Sequence, residues 1–148
     1  RGSGTIITTT SIGGLVTFPF NSVYHATKWA LEGWSESLAF ELGKFGIRVK
    51  TVAPGGIKTD FAGRSLALAQ HPAYADLFAR VAAAFRDPAR TASASTAEQI
   101  AEVVYEAATD EQDRVTYVAG EDARRTYGER LAVGIEKFRR GIAQVFFG

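Results

Sequence analysis

"NSVYHATKWALEGWSESLAFELGKFGIRVKTVAPGG", residues 21–56, reads as a helix running into a strand. Val23, Ala26, Ala30, Trp34, Leu38 and Leu42 recur near helical spacing from residue 22 to 43, and Ser22 can cap the start. Gly43 and Gly46 are where such a helix should stop. "IRVKTVAP" then carries β-branched residues at strand length, and Pro54-Gly55-Gly56 ends it. Upstream, "GTIITTTS" is β-branched as well, bounded by Gly4 and by Gly13-Gly14, and reads as a short buried strand. Strand, helix and strand in succession argue an α/β fold with a parallel sheet. The rest of the chain continues the alternation. Thr96 to Ala108 predicts a helix with Thr96 as cap and Gln99 three residues on, "RVTYVAG" a third strand, and the chain from Asp122 a helical tail weakened by Gly128 and Gly134. Residues 57–95, rich in alanine and broken by Pro72 and Pro88, predict only short helical pieces.

Composition narrows the classes of function. The 148 residues suffice for one domain with a real core. A net charge of +1 gives no electrostatic case for nucleic acid or an anionic membrane. No apolar run approaches the roughly 18 residues that argue a membrane span. With no cysteine there is neither a disulfide framework nor a thiolate site, which fits a cytoplasmic protein. The chain opens on Arg1 and contains no methionine, and the expectation is a piece of a longer protein.

Within the opening stretch, Tyr24 and Lys28 stand at i and i+4, which places them on one helix face. Ser11 closes the preceding strand. In open α/β sheets ligands sit at the carboxyl ends of strands, and the Pro54-Gly55-Gly56 turn belongs to the same edge. A free tyrosine, with a pKa of about 10, is a poor base at neutral pH. An ammonium one turn away favours the phenolate over the phenol. Such a tyrosine can exchange a proton with an alcohol or a carbonyl, and a serine hydroxyl can fix the same oxygen. The competing reading is a tyrosine packed by its ring beside a solvated lysine.

Taken together, "GTIITTTSIGGL" and "YHATKWALEGWSESLAFELGKFGIRVKTVAPGGIKTDF" resemble the catalytic half of the short-chain dehydrogenase/reductase family over residues 4–61, with weaker likeness in "VTYVAGEDA" and "FRRGIAQVFF". The resemblance implies the C-terminal half of a Rossmann-like doubly wound parallel sheet, three strands with flanking helices. It implies NAD- or NADP-dependent hydride transfer between an alcohol and a carbonyl compound, such as a ketone. On that basis Ser11 orients the substrate oxygen, Tyr24 is the acid–base group, and Lys28 tunes it and binds the nicotinamide ribose. Pro54 and Gly55 line the nicotinamide pocket, Ile57 meets the carboxamide through its backbone, and Thr59 holds the carboxamide or the pyrophosphate side. Thr10, where the family often has another serine, reads otherwise as a strand residue, and His25 as a helix-surface residue.

The family's Gly-rich phosphate fingerprint and its asparagine are not found in these residues; "RGSG" follows no strand, and Asn21 lies on the wrong side of Ser11. Residues 1–148 are thus expected to form a single partial domain without the dinucleotide-binding half. The first strand would then pair with one from that half, and the segment alone would be inactive. "FPF" (18–20), Phe61, Leu66, Leu68, Tyr74 and Phe78 could line a substrate pocket, though packing of the loop's own helices is favoured, and Arg64 reads as solvated. No metal is implied. A homodimer or homotetramer is expected, with Trp29 and Phe40 giving the helix a second apolar face. The alternative function is an inactive fragment or pseudoenzyme that serves as an interaction or oligomerisation module.

Overall fold

The computed structural model describes residues 2–65 and 69–148. Three parallel strands, β1 (Gly4–Thr9), β2 (Ile47–Pro54) and β3 (Thr116–Ala119), lie in the order β1-β2-β3. Gly4 pairs with Ile47 at one end of β1 and Thr9 with Val52 at the other, while β3 pairs with Thr51 to Pro54. Parallel neighbours need crossover connections. Helix α1 (Ser22–Gly43) makes the first. The second runs through α2 (Phe61–Arg64), α3 (Ala75–Phe85), α4 (Pro88–Ala92) and α5 (Ala97–Thr109). Helices α6 (Glu121–Val133) and α7 (Ile135–Phe147) follow β3.

Successive side chains of a strand point to opposite faces. On β2, Thr51 meets Glu32 of α1, whereas Val52 packs with Tyr117, Ile100 and Ala107 in the core under α5. The helices therefore cover both faces of the central strand, which is buried from Val49 to Pro54. The doubly wound arrangement expected from the sequence is present. No helix among the described residues is long and apolar enough to cross a membrane.

Several local expectations hold for chemical reasons. Thr96 and Gln99 form a reciprocal capping box at the start of α5, with bonds of 2.9 and 3.3 Å. Gly134, at φ 79°, divides the tail into two helices, since only glycine reaches that region cheaply. Gly128 stays inside α6.

Others are corrected. β1 is a half-exposed edge strand: β2 occupies one side, the other has no strand partner among the described residues, and Ile6 is 39% exposed. Ser22 is the first residue of α1 rather than its cap; Asn21 precedes it and donates instead to the Pro19 carbonyl. Of the apolar positions at helical spacing on α1, Val23 (78% exposed), Ala26, Ala30 and Trp34 (52%) turn outward, while Leu38 and Leu42 are half-buried. The face laid on the sheet carries His25, Glu32 and Ser35. Glu32 accepts hydrogen bonds from the hydroxyls of Thr10 and Thr51, so a carboxylate at the helix–sheet interface is satisfied.

At the opposite end of the sheet, Lys50 is buried on β2, and its ammonium donates to Asp110 (2.6 Å) and Tyr117 (2.8 Å). The Tyr117 hydroxyl donates to the other Asp110 oxygen, and Arg114 stacks on the Tyr117 ring. Burial would push the Asp110 carboxyl up, but its bonds to Lys50, Tyr117 and the Gln112 N–H prevail and bring it to about 2, below its ordinary 3.8. A carboxyl lowered by folding stabilises the protein above its unfolded pKa and loses that contribution as pH falls. The stabilisation from Asp110 should thus be complete above about pH 4 and fade toward about pH 2. Asp110→Asn should be less stable at neutral pH and lose less stability on acidification, as urea unfolding at stepped pH would register.

Candidate active site at the carboxyl edge of the sheet

Beyond β1 the chain turns at Ser11. The Ser11 carbonyl accepts the Gly14 N–H (2.8 Å), and its Oγ accepts the Gly13 N–H (3.0 Å), closing a 3-10 turn over Ile12–Gly14. A hydroxyl used as an acceptor still has its own proton to donate. Tyr24 and Lys28 occupy the first turns of α1, both half-buried, with the ammonium 5.8 Å from the centre of the tyrosine ring. The Lys28 ammonium has no acidic partner among the described residues. Gly13 is where turn and helix touch: a Cβ there would stand 3.0 Å from Tyr24 Cε1 and 2.9 Å from His25 Nδ1. At Gly14 it would stand 2.9 Å from the Lys28 carbonyl oxygen. The two glycines let α1 approach the turn, so the turn that begins at Ser11 lies against the part of the helix that carries Tyr24 and Lys28.

The loop after β2 forms the neighbouring wall. Pro54 is buried at the strand end, and the Gly55 N–H donates to the Ala119 carbonyl (2.9 Å). The Gly56 N–H donates to Asp122 Oδ2 (2.7 Å) at the start of α6. Ser95 closes the other side, giving its N–H to Gly56 and taking that of Lys58, each at 2.9 Å. The Ile57 side chain packs against the core, and its N–H has no partner among the described residues. Thr59 is exposed, with its N–H on the Ile57 carbonyl (2.8 Å). A Cβ on Gly55 would collide with the Asp122 carboxylate. Close approach of this carboxylate, a protein group, already accounts for the glycine.

Asp122, Ser95, Glu32 and His25 carry this architecture, and the sequence reading missed them. His25, expected on the surface, is 6% exposed and bonded at both ring nitrogens. Gly56 and Asp122 stand 66 residues apart, and no local pattern announces such a bond. Thr10 is a buried donor to Glu32 and to the Val52 carbonyl, rather than only a strand residue.

The residues considered for substrate divide. Phe18 packs edge-on against Phe85 and Phe146, and the Arg90 guanidinium lies 4.9–5.6 Å from all three ring centres. Phe20 meets Tyr74 and Phe78 edge-on, in the left-handed region at φ 59°, a costly conformation for a bulky residue. Phe61 is 51% exposed, and Arg64 is exposed beside Asp60. Leu66 and Leu68 lie outside the described residues. Among the described residues no cluster of three or more metal-ligating side chains occurs.

The family model for short chain dehydrogenases matches residues 1–68. An uncharacterised oxidoreductase of Schizosaccharomyces pombe is 37% identical over 80% of this chain and 50% of its own length. A short-chain dehydrogenase from Streptomyces avermitilis superposes with a TM-score of 0.73 at 30% identity, over 97% of this chain and 50% of that one. A solved structure of ElxO with NADP bound matches at 25% identity with a TM-score of 0.53, over 80% of this chain and 44% of that one. The chain spans about half the length of the curated relatives it matches. It belongs to the short-chain dehydrogenase/reductase family.

Proposed function

We propose that this chain is the catalytic half of an NAD- or NADP-dependent oxidoreductase that interconverts an alcohol and a ketone. The observation that carries the reading is the packing of the Ser11 turn, through Gly13 and Gly14, against the helix that carries Tyr24 and Lys28 at the carboxyl edge of a parallel sheet, the Lys28 ammonium having no acidic partner among the described residues. The residues fit a nicotinamide nucleotide: the Lys28 ammonium is available to ribose hydroxyls, and the open Ile57 N–H is available to a carboxamide oxygen. Thr59, Pro54 and Gly55 complete that wall. The bound nucleotide would supply or accept the hydride. Ser11, its Oγ oriented by the Gly13 N–H, would donate to the substrate oxygen, and Tyr24 would carry the proton to or from it. Lys28 would hold the ribose and place its ammonium beside the Tyr24 ring.

The outward apolar face of α1, with Val23, Trp34 and Phe40, supports association into a homodimer or homotetramer; Trp29 is partly covered by Arg130. Light scattering of the full-length protein should return twice or four times the mass of one chain, and a monomer at micromolar concentration would remove this reading. A small-molecule substrate and a cytoplasmic location belong to the same proposal, supported by the likeness to the family. An interaction module without catalysis would have no need of the intact Ser11, Tyr24 and Lys28. The test is deuteride transfer: nicotinamide dinucleotide deuterated at C4, incubated with the full-length protein and a panel of ketones, should yield an alcohol deuterated at the carbinol carbon. No transfer to any ketone from either dinucleotide would overturn the assignment.

A further inference from the structure

Both nitrogens of the buried His25 ring are committed. Nδ1 lies 2.7 Å from the Gly13 carbonyl oxygen, and Nε2 lies 2.8 Å from the Phe18 amide nitrogen. A carbonyl can only accept and an amide N–H can only donate, so the pair selects the neutral ring with its proton on Nδ1. The two bonds hold the beginning and the end of the 13–18 loop, which leads from the Ser11 turn toward the Tyr24 helix. Gly13 sits under the edge of the Tyr24 ring, and the Phe18 ring stands 6.1 Å from the imidazole, within the Phe85–Phe146–Arg90 cluster. His25 thereby joins three things: the serine turn, the helix that carries Tyr24, and the aromatic wall built from α3, α4 and α7.

We propose that His25 is a positioning residue for the reaction assigned above, fixing the Ser11 turn against Tyr24 by clamping both ends of the intervening loop. This rests on the oxidoreductase reading. The physical argument is that a hydride–proton exchange needs Ser11 and Tyr24 to address one substrate oxygen. A displacement of about 1 Å in such a site costs about 100-fold in rate. Among the described residues, the turn that follows Ser11 is hydrogen-bonded to the Tyr24 helix at Gly13, held by His25 Nδ1, while Thr10, before Ser11, is tied to the same helix at Glu32.

A proton on Nε2 would face the Phe18 N–H with a second donor, so the two bonds are compatible only with the neutral Nδ1–H ring. Glu32 is bonded to Thr10 and Thr51 and not to the imidazole.

The experiment uses the full-length protein and two substitutions. His25→Phe keeps a ring and loses both hydrogen bonds. His25→Asn keeps an amide N–H where Nδ1 meets the Gly13 carbonyl and gives up the bond to Phe18. His25→Phe should lower kcat about 10- to 100-fold while the KM for the nucleotide stays within about twofold. His25→Asn should recover most of the lost kcat. A merely structural histidine would lower the yield of folded enzyme but leave kcat per active site unchanged in both variants, and that result would overturn the proposal. Long-range proton–nitrogen NMR of the wild type should show the Nδ1–H tautomer; an Nε2–H tautomer would overturn it even if the variants failed to fold. If the wild type transferred no hydride at all, the oxidoreductase reading would fail, and the tautomer would still decide whether the clamp exists.

Discussion

Tyr24→Phe in the full-length protein should lower turnover about 1,000-fold while nucleotide affinity changes less than about twofold. The size follows from the usual yield of general acid–base catalysis, between about 100- and 10,000-fold. Phenylalanine keeps the ring that packs beside Gly13 and under the Lys28 ammonium, so neither the turn nor the helix has reason to move. Only the proton carrier is gone, and the loss should appear in kcat and in kcat/KM alike. Lys28→Ala should behave differently, lowering both activity and nucleotide affinity, because in the proposed site the ammonium would serve the tyrosine and the ribose together. Single-turnover kinetics with calorimetric titration of the nucleotide separates the two. Wild-type kcat in Tyr24→Phe at neutral pH would refute the acid–base role.

The second large effect is expected at Gly55. In Gly55→Ala the new methyl would lie 2.6 Å from Asp122 Cγ, closer than real Cβ atoms come. The Asp122 side chain has little room to yield. Oδ2 holds the Gly56 N–H, and Oδ1 is buried beside Gly120 without a hydrogen-bond partner among the described residues. Relief must come from the loop, at about 1–3 kcal/mol, the usual range for inserting a methyl into packed surroundings. Loop displacement would carry the Ile57 N–H with it, so nucleotide affinity should fall as well. A double-mutant cycle with Asp122→Ala tests the cause. If the collision is responsible, Gly55→Ala should cost markedly less in the Asp122→Ala background. Equal cost in both backgrounds would mean that Gly55 is required for another reason, such as close approach of the nucleotide itself.

These two positions also mark how far the sequence could be read. Tyr24 and Lys28 were legible because helical spacing alone puts them on one face, and Ser11 because a β-branched strand ends at it. The order of strands and helices, the capping box at Thr96 and Gln99, and the break at Gly134 were legible for the same reason: each depends on interactions between residues close in the chain. The buried face of α1 was not. An apolar stripe through Val23, Ala26, Ala30 and Trp34 would normally choose the core side, yet the sheet beneath offers two threonine hydroxyls to Glu32. Those donors come from 22 residues before it and 19 after it, and no helical period contains them.

The sequence by itself determined the α/β class and the limits of the central strand, and it marked the candidate acid–base residues. These follow from backbone preference, periodicity and residue chemistry. Only the tertiary structure decided that His25 is a buried clamp and not a surface side chain, that Asp122 fixes the loop at Gly56, and that Gly55 makes room for that carboxylate. Each of these is a contact between a polar side chain and distant backbone, and the identity of the backbone residue leaves almost no trace in the sequence because every amide looks alike.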